Sequence, residues 1–153
     1  PDLKNFIRKI KDLGLAVKLD TNGSNPAVLK ELITEGLLDY VAMDIKHSRA
    51  KYASVACSPS FNLDDIAESV DFLKEGHVDY EFRTTLVKEM HREADMTAIG
   101  MWLMGAKAYY LQPYRDSDTV ICPGYHAHSR EELDTFVKIL SAFLPKVELR
   151  GDI

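Results

Sequence analysis

Residues 39–47, DYVAMDIKH, read as one strand of an α/β protein. A strand covered on both faces runs almost unbroken in Val, Ile and Leu. This one ends in Asp44 and Lys46, two positions apart, and side chains two apart on a strand point the same way. An acid and a base are therefore aimed together at what would be core. Burying charge is costly unless it is paired or bound to a ligand. The inner face of this strand is thus expected to line a ligand cavity rather than a dry core.

Outward from this strand the chain alternates helical and strand periods. Before it, DLKNFIRKIKDLG (2–14) carries Leu3, Phe6, Ile7, Ile10 and Leu13 on one helical stripe and stops at Gly14. LAVKLD (15–20) is a short strand and TNGSNP (21–26) a turn. Asn25 caps a helix that opens on Pro26 and runs to about Gly36. After it, SRAKYASVACSPS (48–60) is a loop, and Asn62 caps the helix LDDIAESVDFLKEG (63–76). VDYEFRTTLV (78–87) is a strand, READMTAIGMWLM (92–104) a helix closed by Gly105, and AKAYYLQPY (106–114) a strand. SREELDTFVKILSAFL (129–144) is a helix with Ser129 and Glu132 in capping-box relation, and KVELRG (146–151) a last short strand. Helix–strand alternation with short connections implies parallel β/α units. Either a small doubly wound sheet or a piece of a β/α barrel satisfies it.

Composition narrows the function classes. The 153 residues suit a single domain, with 46% hydrophobic and 28% charged residues. A net charge of -5 without a basic run argues against nucleic acid as a partner. No apolar stretch approaches the ~20 residues that span a bilayer. Cys57 and Cys122 stand far apart, outside any C-x-x-C pair, which favours a reducing cytoplasm over a disulfide framework.

In β/α barrels chemistry gathers at the C-terminal ends of the strands, and the unusual polar residues here do the same. The first strand ends with Lys18 and Asp20 on one face and Asn22 just beyond; the second with Asp44 and Lys46. The third alternates Glu81, Arg83 and Thr85, and the fourth ends Gln112-Pro113-Tyr114-Arg115. Together Asp20, Asp44, Lys46 and Arg83 would make a mixed-charge pocket suited to a zwitterion such as an amino acid head group.

KLDTNGSNP, DYVAMDIKH, DYEFRTTLV and the closing VELRG resemble the glycyl-radical-enzyme activating branch of the radical S-adenosylmethionine (SAM) superfamily. The likeness is greatest to anaerobic ribonucleoside-triphosphate reductase activating proteins. Pyruvate formate-lyase activating enzyme shares the D-T-N-G turn and the D-x-K strand end. The resemblance implies an α/β fold, a partial (β/α)6 TIM-like barrel, that binds SAM and a [4Fe-4S] cluster. In that family reductive cleavage of SAM gives a 5′-deoxyadenosyl radical, which takes a hydrogen from a backbone glycine of a partner glycyl-radical enzyme. A flavodoxin or ferredoxin would supply the electron.

Carried over residue by residue, Asp20, Asn22, Asp44, Lys46, Arg83 and Gln112 would face SAM. Asp20, Thr21, Asp44 and the backbone of Ala42 match a monovalent-cation site near the SAM carboxylate. Arg115 stands where the pyruvate formate-lyase relative has a SAM-contacting His. Two family elements, the C-x-x-x-C-x-x-C cluster motif and a G-G-E stretch, do not occur in this sequence. Residues 1–153 are accordingly expected to be the C-terminal portion of one radical SAM barrel domain, lacking its first strand or strands and its cluster-binding part. Three thiolates would hold such a cluster with one iron free for SAM, and two cysteines cannot. The chain alone is expected to be inactive.

Other readings compete. Lys46 is also a candidate Schiff-base lysine of an aldolase-like barrel, with Asp44 and Glu81 as acid and base, although such barrels run to about 250 residues. A non-catalytic docking scaffold is the third, since a strand LAVKLD left unpaired at a sheet edge recruits other strands. Cys122, His126 and His128 in CPGYHAH do not match a standard zinc spacing. Cys57 reads as a passive loop thiol. His47, His77 and His91 fall at element ends, where exposure or capping is expected, with His47 close enough to Lys46 to approach the cavity.

Overall fold

The computed structural model describes residues 2–56, 61–116 and 123–151. The elements run α1 (Leu3–Asp12), β1 (Lys18–Thr21), α2 (Pro26–Thr34), β2 (Tyr40–Asp44), a 3-10 turn (Arg49–Lys51), α3 (Tyr52–Val55) and α4 (Leu63–Lys74). They continue with β3 (Asp79–Leu86), α5 (Glu93–Leu103), β4 (Tyr109–Pro113), α6 (Arg130–Leu140) and β5 (Val147–Leu149). Local chemistry explains most boundaries. Asn25 Oδ1 accepts from Val28 N at 3.2 Å and Asn62 Oδ1 from Asp64 N at 3.1 Å, satisfying donors that a helix start leaves open. At α6, Ser129 Oγ accepts from Glu132 N while Glu132 Oε2 accepts from Ser129 N.

All five strands are parallel and lie in the order β1-β2-β3-β4-β5. This order decides between the two architectures. Each crossover steps one strand in the same direction, and crossovers share one hand, so every helix falls on the same side of the sheet. A doubly wound sheet needs a reversal of strand order, and there is none among the described strands. The result is the α/β wall of a partial barrel, with the helices among the described residues on its outer side.

The core follows from this. Val41, Met43, Ile45, Phe82, Leu86 and Leu111 on the outer side of the sheet pack with Leu29, Leu32, Val70, Met96, Ile99, Leu103 and Leu133 from the helices, in one buried cluster. Asp44 and Lys46 point the other way, to the helix-free side.

The structure corrects three sequence expectations. The stripe of α1 is buried only at Ile7, while Phe6 and Leu13 are 60% and 76% exposed. Its basic residues turn inward instead, with Lys4 paired to Glu31 and Glu35, Arg8 to Glu35 and Lys11 to Asp39. β1 begins at Lys18 rather than Leu15, because Val17 N donates to the Asp39 carboxylate at 2.6 Å rather than to a strand. The stretch read as a loop after β2 contains two helical turns, anchored by buried Tyr52, which stacks on Phe61 and meets Trp102 edge-on.

Candidate functional site

The strand register sets the inner face. Asp20 pairs with Ala42, Asp44 with Arg83, and Thr85 with Gln112, which steps polar side chains around the concave wall. Their charges form one continuous chain. Lys18 Nζ lies 3.4 Å from Asp20 Oδ1; Arg83 Nη1 is 3.0 Å from Asp20 Oδ2, and its Nε is 2.5 Å from Asp44 Oδ1; Lys46 Nζ is 2.9 Å from Asp44 Oδ2. The structure thus brings together Asp20, Asp44, Lys46 and Arg83. They are not entombed: the Lys46 and Asp20 side chains are 47% and 53% exposed, Asp44 29% and Arg83 17%.

Electrostatics at the centre of this chain are firm. Desolvation pushes the Asp44 carboxyl up, but hydrogen bonds from Arg83 and Lys46 outweigh it and hold it below the usual carboxylate range. Burial works against the Arg83 guanidinium, yet Asp44 and Asp20 raise it further. The site is therefore a fixed zwitterionic rim whose outer members, Lys18, Asp20 and Lys46, remain open to solvent.

One layer deeper, Glu81 is buried and fully committed. Arg150 clamps it through Nη1–Oε1 at 2.5 Å and Nη2–Oε2 at 2.9 Å, and Tyr40 Oη donates to Oε2 at 2.9 Å. The Arg150 guanidinium lies 3.6 Å from the Tyr110 ring centroid. Tyr40 is pushed up to about 12, first by burial and then by its hydrogen bond to Glu81. The floor is thus a closed ion pair, which leaves Glu81 no free oxygen for acid–base work. The sequence signalled Arg150 only as part of VELRG and did not single out Tyr40.

The loop that carries Lys46 is held on every side. Lys46 N donates to Tyr52 Oη at 3.1 Å, and His91 Nε2 donates to Lys46 O at 3.0 Å. Next to it, Thr84 Oγ1 donates to Ile45 O at 2.5 Å. His47 and His91, expected at exposed ends, are instead buried and stacked at 4.9 Å. Ser48 N donates to His47 Nδ1 and Val87 N to His91 Nδ1, so each ring carries its proton on Nε2. His47 Nε2 spends it on Met90 O at 2.9 Å. Neither ring reaches the inner face; both brace it from behind. Only the shared position at strand ends hinted at this.

The remaining candidates are placed as follows. Asn22 is exposed and its Oδ1 accepts from Ser24 N; Thr21 lies on the opposite face from Asp20, with Oγ1 accepting from Gly23 N. Ala42 is buried between Asp20 and Glu81 in the register. Arg83 supplies a guanidinium between the Asp20 and Asp44 carboxylates, where the cation site was expected. Gln112 is half-buried beside Thr85. Cys57 and Cys122 lie outside the described residues. His126 is exposed on Glu89 and His128 buried against Phe136; no group of three metal-ligating side chains occurs among the described residues. His77 is exposed and paired with Glu75. No described helix is long and apolar enough to cross a membrane.

No family model matches the sequence. Over 114 residues, 72% of this chain, it is 35% identical to a Methanocaldococcus jannaschii protein named, provisionally, as a glycyl-radical enzyme activating enzyme. Identity at that level over that length establishes homology. The chain spans about half of that relative, 48% of its length. Among solved structures, a domain of a pyruvate-formate lyase-activating enzyme from Bacteroides vulgatus superposes with a TM-score of 0.75. The match covers 97% of this chain and 89% of that domain at 15% identity, which establishes a shared fold.

Proposed function

We propose that this chain forms the SAM-holding wall of a radical SAM activating enzyme whose substrate is a glycyl-radical enzyme. The observation that carries the reading is the Lys18–Asp20–Arg83–Asp44–Lys46 charge chain across the inner face of adjacent parallel strands. An amino acid head group has the complementary charges: Arg83 and Lys46 suit its carboxylate, Asp20 and Asp44 its ammonium. Asn22, just past β1, and Gln112, near the end of β4, are the further head-group contacts assigned here, while the Arg83 guanidinium takes the place of the monovalent cation expected between Asp20 and Asp44, and Thr21 faces away from them. When bound with its cluster, SAM supplies the radical chemistry that removes hydrogen from a glycine of the partner. What these residues do is hold and orient the head group. The two cysteines of the sequence do not fit a [4Fe-4S] cluster, which needs more thiolates, and the 153 residues alone are expected to be inactive. Homology to the M. jannaschii protein supports the partner class. Within it we favour an anaerobic ribonucleoside-triphosphate reductase, then a pyruvate formate-lyase type, with flavodoxin or ferredoxin as reductant in a reducing cytoplasm.

Calorimetric titration of the chain with SAM tests this. Expected is weak, saturable binding, with a Kd on the order of 1 mM, abolished in Asp44→Asn and Arg83→Leu. S-adenosylhomocysteine, which keeps the amino acid end, should bind alike. Binding unaffected by both substitutions, or none at all, overturns the reading. The aldolase alternative needs a buried Lys46, whereas its side chain is half exposed and paired with Asp44, and Glu81 is clamped by Arg150. Borohydride trapping of a carbonyl substrate on Lys46 would reinstate it.

A further inference from the structure

Outside the charge chain, a cavity of about 340 Å³ opens where the starts of α5 and α6 meet, lined by Lys88, His91, Arg92, Glu93, His128 and Glu132 over the ring of Phe136. Its volume falls at the small end of ligand-binding pockets. The unexplained group in it is His128. That side chain is only 4% exposed, yet neither ring nitrogen has a hydrogen-bond partner. Buried polar groups are nearly always paired, so an orphan imidazole in a cavity wall marks a place for a partner. Phe136 packs edge-on against it at 4.8 Å and fixes the ring without satisfying it.

The charges around it decide the ligand class. Glu132 Oε2 stands 3.4 Å from His128 Nδ1, an ion pair when the ring is protonated but not a hydrogen bond, and is already engaged by Ser129 N at 2.7 Å and Lys88 Nζ at 3.2 Å. The Ser129 N–H is the largest cause holding Glu132 down to about 2, so this acid is a committed anion neutralised locally. Arg92, by contrast, is exposed and makes no ion pair among the described residues. Glu93 is the one remaining acid. Against it stand the Arg92 guanidinium and the N-termini of α5 and α6, both 11-residue helices that direct partial positive charge here.

We infer that this cavity binds a small oxyanion, a phosphate or carboxylate group of a soluble metabolite, held by His128 and Arg92. The site is separate from the SAM-facing rim and does not depend on that reading. It nevertheless backs onto it, because His91, in the cavity wall, is the residue that bonds the Lys46 carbonyl.

Titration of the chain with inorganic phosphate, followed through the histidine ring signals by NMR, tests the inference, with acetate in a parallel arm. Expected is saturable movement of the His128 resonances with a Kd on the order of 1 mM. Saturation by phosphate alone identifies a phosphorylated ligand, and by acetate a carboxylate. Arg92→Ala, at the exposed N-cap of α5, keeps the backbone N–H whose hydrogen bond Asp95 Oδ2 accepts and should weaken binding about tenfold or more. His128→Phe should abolish it while leaving thermal stability unchanged or higher, since it removes a buried polar ring that has no hydrogen bond. Failure of both anions to saturate, or binding that survives in both variants, overturns the inference. So does loss of stability in His128→Phe accompanied by unchanged binding in Arg92→Ala.

Discussion

At the scale of single residues, pairs of charges behave unequally because their burial is unequal. Glu81 is enclosed, whereas the Arg150 side chain that clamps it is 41% exposed. Arg150→Ala strands a buried carboxylate and should cost about 3–5 kcal/mol, while Glu81→Gln frees a guanidinium to rejoin water and should cost about 1–2 kcal/mol. Urea unfolding of the two variants checks the order; equal losses would contradict it. His91 gives a pH prediction. Burial pushes its imidazole below its ordinary value, outweighing the bond to the Lys46 carbonyl. Above the unfolded value of about 6.5 neither state binds the proton; as pH falls below it, the unfolded chain binds first, so stability declines. Denaturant midpoints between pH 7 and 5 should therefore fall in the parent chain and flatten in His91→Gln. An unchanged slope in the variant would place the titrating group elsewhere. The strand-end acids and bases were legible from period-two spacing alone. The stacked histidines were not, because burial behind a strand end depends on which loop packs there.

At the scale of elements, the caps at Asn25, Asn62 and Ser129 were readable because each acts within a few residues of itself. The face of α1 was not. Amphipathic spacing tells which residues share a stripe, but not whether anything covers it, and here the cationic side meets Glu31, Glu35 and Asp39 while only Ile7 of the apolar stripe is buried. Ile7→Ala should accordingly cost about 2–5 kcal/mol and Phe6→Ala under about 0.5 kcal/mol. Thermal unfolding of the pair measures this, and a large loss at Phe6 would mean that its ring is covered in solution. The turn after β1 is tighter than its sequence suggests. Gly23 has φ +75, and a Cβ there would lie 2.0 Å from Met43 Cε. Gly23→Ala combines a left-handed backbone with overpacking and should destabilise by about 2–4 kcal/mol.

At the scale of the whole molecule, strand order is the decisive fact. Five parallel strands in sequential order put the described helices on one side and leave a concave wall on the other. β2 and β3 are paired along both edges, whereas β1 pairs only with β2 among the described residues. Hydrogen exchange should find the slowest amides in β2 and β3 and early exchange along β1. Protection of β1 equal to that of β2 would show that the edge is covered, as strand-to-strand association would do. By itself the sequence determined the α/β class, the order of the strands and longer helices, most helix caps and the set of charges on the inner strand face, because periodicity and capping are written within a few residues. Only the tertiary structure decided that Arg83 bridges Asp20 and Asp44, that Arg150 closes over Glu81, that two histidines brace Lys46 and that a third is buried without a hydrogen bond. Those contacts join residues dozens of positions apart, and which of many compatible partners meet is fixed by strand register and crossover direction, quantities that no local pattern contains.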